Sequence, residues 1–503
     1  MRDTPYFFQG ETETTHINGI VQAGAASRMS DRQFLARQIS QWKQSPQRRM
    51  QIVGVRYQHG EQDILHHQRT VIGKDGKLAI VHNLPNAQIV DNQYARMVAQ
   101  KTDYLLGKPP TFDSEDKQYT ATLQTVFGAA FLRQLRLLGE DALNGGIGWL
   151  MPYYDEQGSL AFRRFEPYQI LPFWQDGEHT KMDASIYLYE VESYEGETEK
   201  IVEHVEAFTP DGIDYFVYQD GALTPEEPWH TPYVTLGQQA LNWSQIPLVP
   251  WKANAAEISL IRRVKPLQDA INLMESAFEN GMLEDPRNTI LVVVNYDGTD
   301  LGELRRNLAT YGAVKVRNDS GSPGGGVSTL NVELNAENYK TILSLFKQAL
   351  IENARGYDAK DDRLSGNPNQ MNIQSMYSDI DLDANAMETE FQASFEQLLW
   401  FVNAHLANSG VGNFDGTPVK ITFNRNVLIN QSDIIQQCKD SVGIVSDRTI
   451  LAHHPFVDDV DKEVEQLKEQ KQADMQLYGG GTFPQHDDSG GQQGGGEQHV
   501  EET

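Results

Sequence analysis

The sequence predicts an α+β fold whose helical and strand-rich stretches occupy separate parts of the chain. Amphipathic helical patterns fill most of residues 31–144 and 257–475, with apolar side chains three and four positions apart. Between them, residues 147–250 alternate apolar with polar positions, are rich in aromatic and β-branched residues, and contain regular turn signals. Because helices and strands come in blocks, the pattern favours an α+β arrangement with an antiparallel sheet.

Length and charge limit the possible functions. With 503 residues the chain is long enough for two to four domains. Its net charge of -28, from 42 Lys and Arg against 70 Asp and Glu, should repel a phosphate backbone. This argues against tight, charge-driven nucleic-acid binding, although not against a protein that lets DNA pass without gripping it.

Cysteine content and hydropathy predict a soluble, unexported protein in a reducing compartment. The single cysteine, Cys438, permits neither an intramolecular disulfide nor a metal site built from cysteines. The first residues have no apolar leader segment, and the longest aliphatic run, ILVVV, is too short to span a bilayer.

In the N-terminal half, the pattern predicts a polar arm over about residues 1–25 and then a helix at 31–42. Two alternating runs around a Lys-Asp-Gly turn predict a hairpin within 69–81. A helix is expected at 86–106, where Gly107 and the prolines Pro109 and Pro110 would end it, and another at 121–144.

In the C-terminal half, a long helix is predicted at 257–280, with a kink or a delayed start because of Pro266. A strand-helix-strand unit at 289–316, a glycine-rich loop and a strand at 327–334 follow. Helices are expected at 336–355 and 373–408, on either side of a polar loop. A strand near 419–429 and helices from 432 and 459 come next, and residues 479–503, rich in glycine and acids, should be disordered.

The strand-helix-strand unit has the outline of a nucleotide site, and one alternative is a nucleotide-dependent enzyme that uses residues 289–316. Its turn, however, matches neither G-x-G-x-x-G nor the P-loop. Asp297 and Asp300 put negative charge where a phosphate would lie, and Asp300 with Glu303 forms a capping-box pair. We therefore favour a structural role for this unit.

A run of acidic residues raises the other alternative, a calcium-binding scaffold protein. Asp379, Asp381, Asp383 and Glu390 are spaced like positions one, three, five and twelve of an EF-hand loop. Position six is Ala384 instead of glycine, and helical periodicity continues through the run, so a helix face is favoured over a metal site. No grouping of Ser, His and Asp has a nucleophile signature, and we expect neither catalysis nor a cofactor.

Taken in order, several stretches resemble the portal proteins of tailed double-stranded DNA bacteriophages, the head-to-tail connectors, and in particular those of the long-tailed siphophage type. The resemblance extends from about residue 30 to residue 475. The stretches that carry it are 90–112, 146–174, 246–254, 289–316 and 453–470.

The resemblance implies a portal fold assembled as a closed ring of twelve copies around a DNA tunnel. The implied regions are a wing (1–255), stem helix 1 (256–280), a clip (281–335), stem helix 2 (336–357), a tunnel loop (358–372), a long wing helix (373–416), a crown (417–478) and an acidic tail (479–503). The expected location is the portal vertex of the virion, after assembly in the host cytoplasm.

The resemblance also implies functional residues and partners. Lys340 and Lys347 lie a heptad apart with Arg355 on roughly the same face, so a ring would stack these charges along the tunnel, joined by Lys360 and Arg363. The tunnel loop would include Asp361, Asp362, Leu364, Ser365, Gly366 and Asn367. Clip contacts would involve Asn295, Asp297, Asp300, Arg305 and Arg306. Expected partners are identical subunits, transiently bound double-stranded DNA, terminase, a head-completion adaptor, the major capsid protein and scaffolding protein, with no membrane.

Overall fold

The computed structural model describes residues 31–72, 77–82, 84–196, 198–236, 239–284, 290–294, 326–330, 336–358, 370–425, 431–457 and 460–478. The chain divides into two compact units, one of residues 1–362 with 374–427 and one of residues 363–373 with 428–503. The predicted N-terminal arm, the acidic tail and most of the predicted clip and tunnel loop lie outside the described residues.

The first unit begins with two helices, α1 (Asp31–Lys43) and α2 (Pro46–Gln58). The first was predicted. The second was missed, although Ser45 caps it by accepting a hydrogen bond from the Arg48 N–H and Pro46 occupies its first turn. The predicted hairpin is confirmed, since β1 (Thr70–Ile72) pairs antiparallel with β2 (Leu78–Ile80).

The next helices differ from prediction in their boundaries. Helix α3 runs over Gln93–Leu106, starting at an Asn92 cap, so the expectation that it begins at residue 86 was wrong. After strand β3 (Thr111–Asp113), the single helix predicted at 121–144 is two helices, α4 (Lys117–Val126) and α5 (Ala129–Gly145). The break falls at Phe127 and Gly128, where Phe127 leaves helical geometry and its ring joins an aromatic cluster.

Residues 147–252 form the antiparallel sheets that the alternation predicted. A three-stranded sheet has the order β13-β4-β5, with β4 (Ile147–Tyr154), β5 (Leu160–Phe165) and β13 (Val249–Lys252). A five-stranded sheet has the order β10-β9-β8-β7-β6. Its strands are β6 (Ile170–Trp174), β7 (Met182–Glu195), β8 (Thr198–Thr209), β9 (Gly212–Gln219) and β10 (Ala222–Thr231). A short ribbon, β11 (Val234–Leu236) and β12 (Gln239–Leu241), follows.

The five-stranded sheet packs on both faces, which explains its period of two. Ile186 and Leu188 point to one side, where they meet Ile39 and Trp42 of α1. Tyr187 points to the other side, into a cluster with residues of the three-stranded sheet such as Trp149. The sheet is thus the middle layer between a helix and a second sheet.

The rest of the first unit, where described, is mostly helical, with three short strands. Helix α6 (Leu260–Glu284) contains Pro266, and it starts three residues later than predicted. Strands β14 (Ile290–Val294) and β15 (Gly326–Leu330) form an antiparallel pair. Then come α7 (Ala336–Asn353) and the 39-residue α8 (Gln370–Asn408), whose Phe391 and Phe395 are fully buried. Strand β16 (Lys420–Thr422) pairs with β3.

The described residues 431–478 of the second unit form three helices with few buried side chains. They are α9 (Gln431–Asp440), α10 (Asp447–His453) and α11 (Val460–Tyr478). Of the side chains described in these helices and their turns, only Cys438 is buried, while Ile444 is 81% exposed and Phe456 67%. Within the described parts of the chain, no helix combines the length and apolar character needed to cross a membrane.

Candidate functional site

Helices α6 and α7 pack against each other and leave apolar side chains in solvent. Phe278 and Tyr339 join the two helices, with ring centroids 5.0 Å apart. Beside this contact, Leu273 on α6 is 48% exposed, and on α7 Ile342 is 42% and Leu345 58% exposed. Leu273 and Ile342 line a groove between the two helices, and Leu345 follows Ile342 by three positions on α7. Exposed apolar side chains that lie close together mark an interaction surface. We call these three residues the helix-pair patch.

The opposite side of α6 carries polar side chains at every fourth position, which hold an irregular backbone segment. Asn280 accepts a hydrogen bond from the N–H of residue 87, Ser276 from residue 89 and Asn272 from residue 91, at 2.7, 3.0 and 3.1 Å. Gln268 continues the series by accepting from Tyr94 N–H at 2.9 Å. Four residues of a helix and two residues of an extended segment both span about 6–7 Å along the axis. Side chains four positions apart on α6 can therefore bond to every second backbone N–H of the extended segment. We call this set the polar ladder.

The apolar stripe of α6 was predicted from the sequence, but the polar ladder was not. The signal was present, because Gln268, Asn272, Ser276 and Asn280 recur at steps of four. What they bind could not be predicted, since their partners lie between 174 and 193 positions away.

The predicted tunnel residue Lys347 is held between two carboxylates. Its Nζ lies 2.5 Å from Asp91 Oδ2 and 3.0 Å from Glu275 Oε1. Burial raises the pKa of Glu275, and the neighbouring Asp91 adds to that rise. Burial would also raise the pKa of Asp91, but the hydrogen bonds from Lys347 and Gln93 and the charge of Lys347 together outweigh it, and the pKa of Asp91 is lowered. Lys347 thus joins α7 to α6 and to the segment at residue 91.

The other two predicted tunnel residues of this region have different surroundings. Lys340 is exposed on α7, a heptad from Lys347. Arg355 lies past the end of α7 with a left-handed φ of 50°, and its side chain is paired with Asp383 at 2.9 Å. The three side chains do not share one environment, and contact of any of them with DNA stays a prediction.

The carboxylate of Asp383, on α8, contacts three cationic side chains. Its Oδ2 accepts from Lys101 Nζ at 2.9 Å and from Arg263 Nη1 at 2.7 Å, and its Oδ1 pairs with Arg355. Burial alone would raise the pKa of Asp383, but the Lys101 charge and its hydrogen bond, followed by Arg263, lower it. Through this carboxylate, α8 is tied to α3, α6 and the end of α7.

The EF-hand spacing around Asp383 belongs to a continuous helix, which agrees with the helical interpretation of that run. Asp381 accepts from Tyr104 Oη at 2.5 Å and pairs with Arg425, whereas Asp383 faces Lys101, so the two carboxylates diverge. Asp379 is exposed. Among the described residues, no three His, Cys, Asp or Glu side chains come together in a way that could hold a metal ion.

The remaining predicted site residues lie outside the described part of the chain. These are the tunnel-loop residues 360–367 and the clip residues Asn295, Asp297, Asp300, Arg305 and Arg306. What is described nearby is the β14–β15 pair, in which Ile290 is opposite Leu330 and Val294 opposite Gly326. A two-stranded sheet is marginal by itself, and residues 295–325 between the two strands lie outside the described part of the chain.

Comparisons with known proteins point in one direction. A family described as "Phage portal protein, SPP1 Gp6-like" matches residues 48–477. The portal protein of Bacillus phage SPP1 is 26% identical over 478 residues, covering 93% of this chain and 92% of that protein. The portal protein of Clostridium phage phiCD119 is 26% identical over 436 residues, covering 84% and 93%.

Among solved structures, the neck of an empty GTA particle computed with C6 symmetry is similar with a TM-score of 0.39 and 13% identity. The match covers 71% of this chain and 87% of that one.

Proposed function

The chain belongs to the SPP1 Gp6-like family of phage portal proteins, the head-to-tail connectors, and from that premise we propose that it works as a closed ring of twelve copies around a DNA channel. The family match over residues 48–477 supports this proposal, since it extends over most of both compact units. Neither a nucleotide-dependent enzyme nor a calcium-binding scaffold is supported by the comparisons.

We propose that the regions take the roles the family resemblance implied. The sheets and helices up to residue 255 would form the wing, and α6 and α7 the stem. Strands β14 and β15 would belong to a clip that receives terminase during packaging and the adaptor afterwards. Residues 358–372 would form the tunnel loop, α8 the long wing helix behind it, and residues 417–478 the crown.

Three features of single chains support assembly with copies of itself. The helix-pair patch leaves Leu345, Ile342 and Leu273 in solvent. In the described residues of the proposed clip, β14 and β15 form a two-stranded sheet, which is marginal by itself. Of the described side chains in the helices of the second unit, few are buried. Each feature is costly in a monomer and is relieved when neighbouring copies cover it, and heterologous contacts close into a ring under cyclic symmetry.

The charge distribution supports a channel through which DNA slides. With a net charge of -28, most of the surface repels phosphate. Of the predicted tunnel cations that the structure describes, Lys340 is exposed, whereas Lys347 is paired with Asp91 and Glu275 and Arg355 with Asp383. Contacts this sparse break easily, and translocation needs contacts that break.

The ring can be tested on the purified full-length protein by negative-stain microscopy and light scattering. We expect rings with a central channel, and a Leu345→Glu variant that stays folded but loses rings. Ile201→Glu is the matched control, because Ile201 on β8 is 59% exposed, close to the 58% of Leu345. Two results would contradict the proposed arrangement. One is that the unmodified protein stays entirely monomeric at concentrations where assembly should occur, and the other is that Leu345→Glu forms intact rings.

A further inference from the structure

A cavity of about 360 Å³ lies in the first unit where α3, α6, α8 and the end of α7 meet. Its walls are mostly aliphatic, and its titratable lining residues are Lys101, Arg263, Arg355 and Asp383. Among the residues that the structure describes, three cations face a single carboxylate, an excess of two positive charges. The ammonium of Lys101 is the most buried of the three, and a buried charge that is not fully matched is costly, so the cavity favours an anion.

The donors at this cavity are only partly used. The Lys101 side chain is 4% exposed, and its ammonium donates to Asp383 Oδ2 at 2.9 Å and to the Arg355 carbonyl oxygen at 3.1 Å. An ammonium has three hydrogens, and the described residues provide no acceptor for the third. Arg263 and Arg355 each use one guanidinium nitrogen on Asp383, although each has five N–H groups.

The backbone adds to the positive potential. Helix α6 begins at Leu260, which lines the cavity, so the N-terminal end of a 25-residue helix faces it. The free N–H groups and the dipole at a helix N-terminus favour negative charge. Burial lowers the pKa of Lys101, the charge and hydrogen bond of Asp383 oppose this, and the charges of Arg263 and Arg355 lower the pKa further. The negative charge of an added anion would act in the same direction as Asp383.

We propose that this cavity binds a small tetrahedral oxyanion of the phosphate class. Guanidinium groups match the geometry of such oxyanions through paired N–H donors, and the unused Lys101 hydrogen lies on the same cavity. A free ion suits the site better than a phosphate of DNA. A DNA phosphate could reach Arg355, which is 51% exposed, but not Lys101, which is almost completely buried. The bound ion would add a second polar link between the four helical elements that Asp383 joins.

Thermal unfolding of the full-length protein in phosphate against chloride, at constant ionic strength, tests this proposal. We expect a saturable rise of Tm with phosphate, and Arg263→Gln should increase the half-saturating concentration about tenfold. Arg425→Gln is the matched control, since Arg425 also pairs with α8 but its charge is offset by Asp381 and Glu388. It should lower Tm without changing the response to phosphate.

Asp383→Asn separates binding from a purely structural role. Removal of the competing carboxylate should make the folded variant bind phosphate more tightly, with a half-saturating concentration several-fold below that of the wild type. A structural role alone predicts a lower Tm and no gain in phosphate response. No saturable phosphate effect in the wild type, or an equal effect in Arg263→Gln, would overturn the proposal. Displacement of phosphate by short duplex DNA would overturn the assignment to a free ion.

Discussion

The side chain of Asn272 on α6 accepts a hydrogen bond from the backbone N–H of Asp91 at 3.1 Å, across 181 positions of sequence. Asn272 is completely buried, and its own amide donates to Gln62 Oε1 at 2.5 Å. Gln268 donates to the same Asn272 oxygen at 3.0 Å. A buried polar group with several partners stabilises a structure only while all of the partners are present.

Replacement of Asn272 by alanine should lower the free energy of unfolding by about 2–4 kcal/mol, because three buried polar groups lose their partner. Asn280→Ala is the control within the same ladder. Asn280 is only half-buried and satisfies one N–H, that of Ala87, so its loss should cost about 1 kcal/mol. Urea-unfolding midpoints measure both, and equal shifts would show that burial does not govern the ladder.

Gly146 provides a second prediction, at the end of α5. It has a left-handed φ of 86°, and a Cβ there would lie 2.0 Å from the carbonyl oxygen of Glu257. Gly146→Ala should therefore cost more than about 3 kcal/mol, beyond the 1–2 kcal/mol of the left-handed conformation itself. Gly158 has a similar φ of 76° with no atom within 4 Å, so Gly158→Ala should cost only about 1 kcal/mol. Thermal unfolding measures both variants: Gly158→Ala reports the cost of the backbone conformation alone, and Gly146→Ala reports that cost plus the steric contact. Equal losses of stability in the two variants would rule out a contribution from the contact.

Local patterns predicted the elements whose partners are local or whose faces are simple. The alternation that places Ile186 and Tyr187 on opposite faces of β7 could be read directly, because a strand has a period of two. The hairpin at β1 and β2 followed from its turn residues. The start of α3 was misjudged, since the backbone N–H groups before Asn92 are satisfied by side chains of α6 rather than by helix.

The candidate sites depend on contacts that sequence spacing does not contain. The EF-hand-like spacing of Asp381 and Asp383 is compatible with a loop or a helix, and Tyr104 and Lys101 on α3 decide which way each carboxylate turns. Likewise Lys347 looked like a solvent-facing cation, because its two acidic partners lie on other segments. Regular elements follow from short-range physics, whereas pairing of buried charges follows from the packing of distant elements.

Lys347 leads to a prediction about pH. In the wild type, Asp91 has a lowered pKa and contributes stability that is present above the unfolded pKa and lost as pH falls through the folded pKa. In Lys347→Met two carboxylates face each other without a cation, so both folded pKa values should rise above the unfolded ones. Stability is then greatest below the unfolded pKa and is lost as pH rises through the raised values.

The deficit of Lys347→Met relative to the wild type should therefore grow from about pH 4 to pH 7, reaching about 1–2 kcal/mol. Lys340→Met is the control, because Lys340 is on the same helix and has no ion pair among the described residues. Its unfolding free energy should follow the wild type at each pH. A deficit of Lys347→Met that is constant with pH would show that the carboxylates do not respond to the lysine.

A substitution of Lys340 tests whether this residue lines a DNA channel. We expect Lys340→Glu to form normal rings and to package less DNA per capsid, because an exposed cation in a ring becomes an anion facing phosphate. Lys347→Glu is a poorer test, since a third acid beside Asp91 and Glu275 would disturb the helix pair as well.

Lys117→Glu is the matched control, with the same charge change at an exposed position on α4, in the proposed wing. DNA content of assembled capsids, with rings checked by microscopy, measures the effect. Normal packaging by Lys340→Glu would remove this lysine from the channel lining, and equal losses in both variants would assign the effect to net charge instead of position.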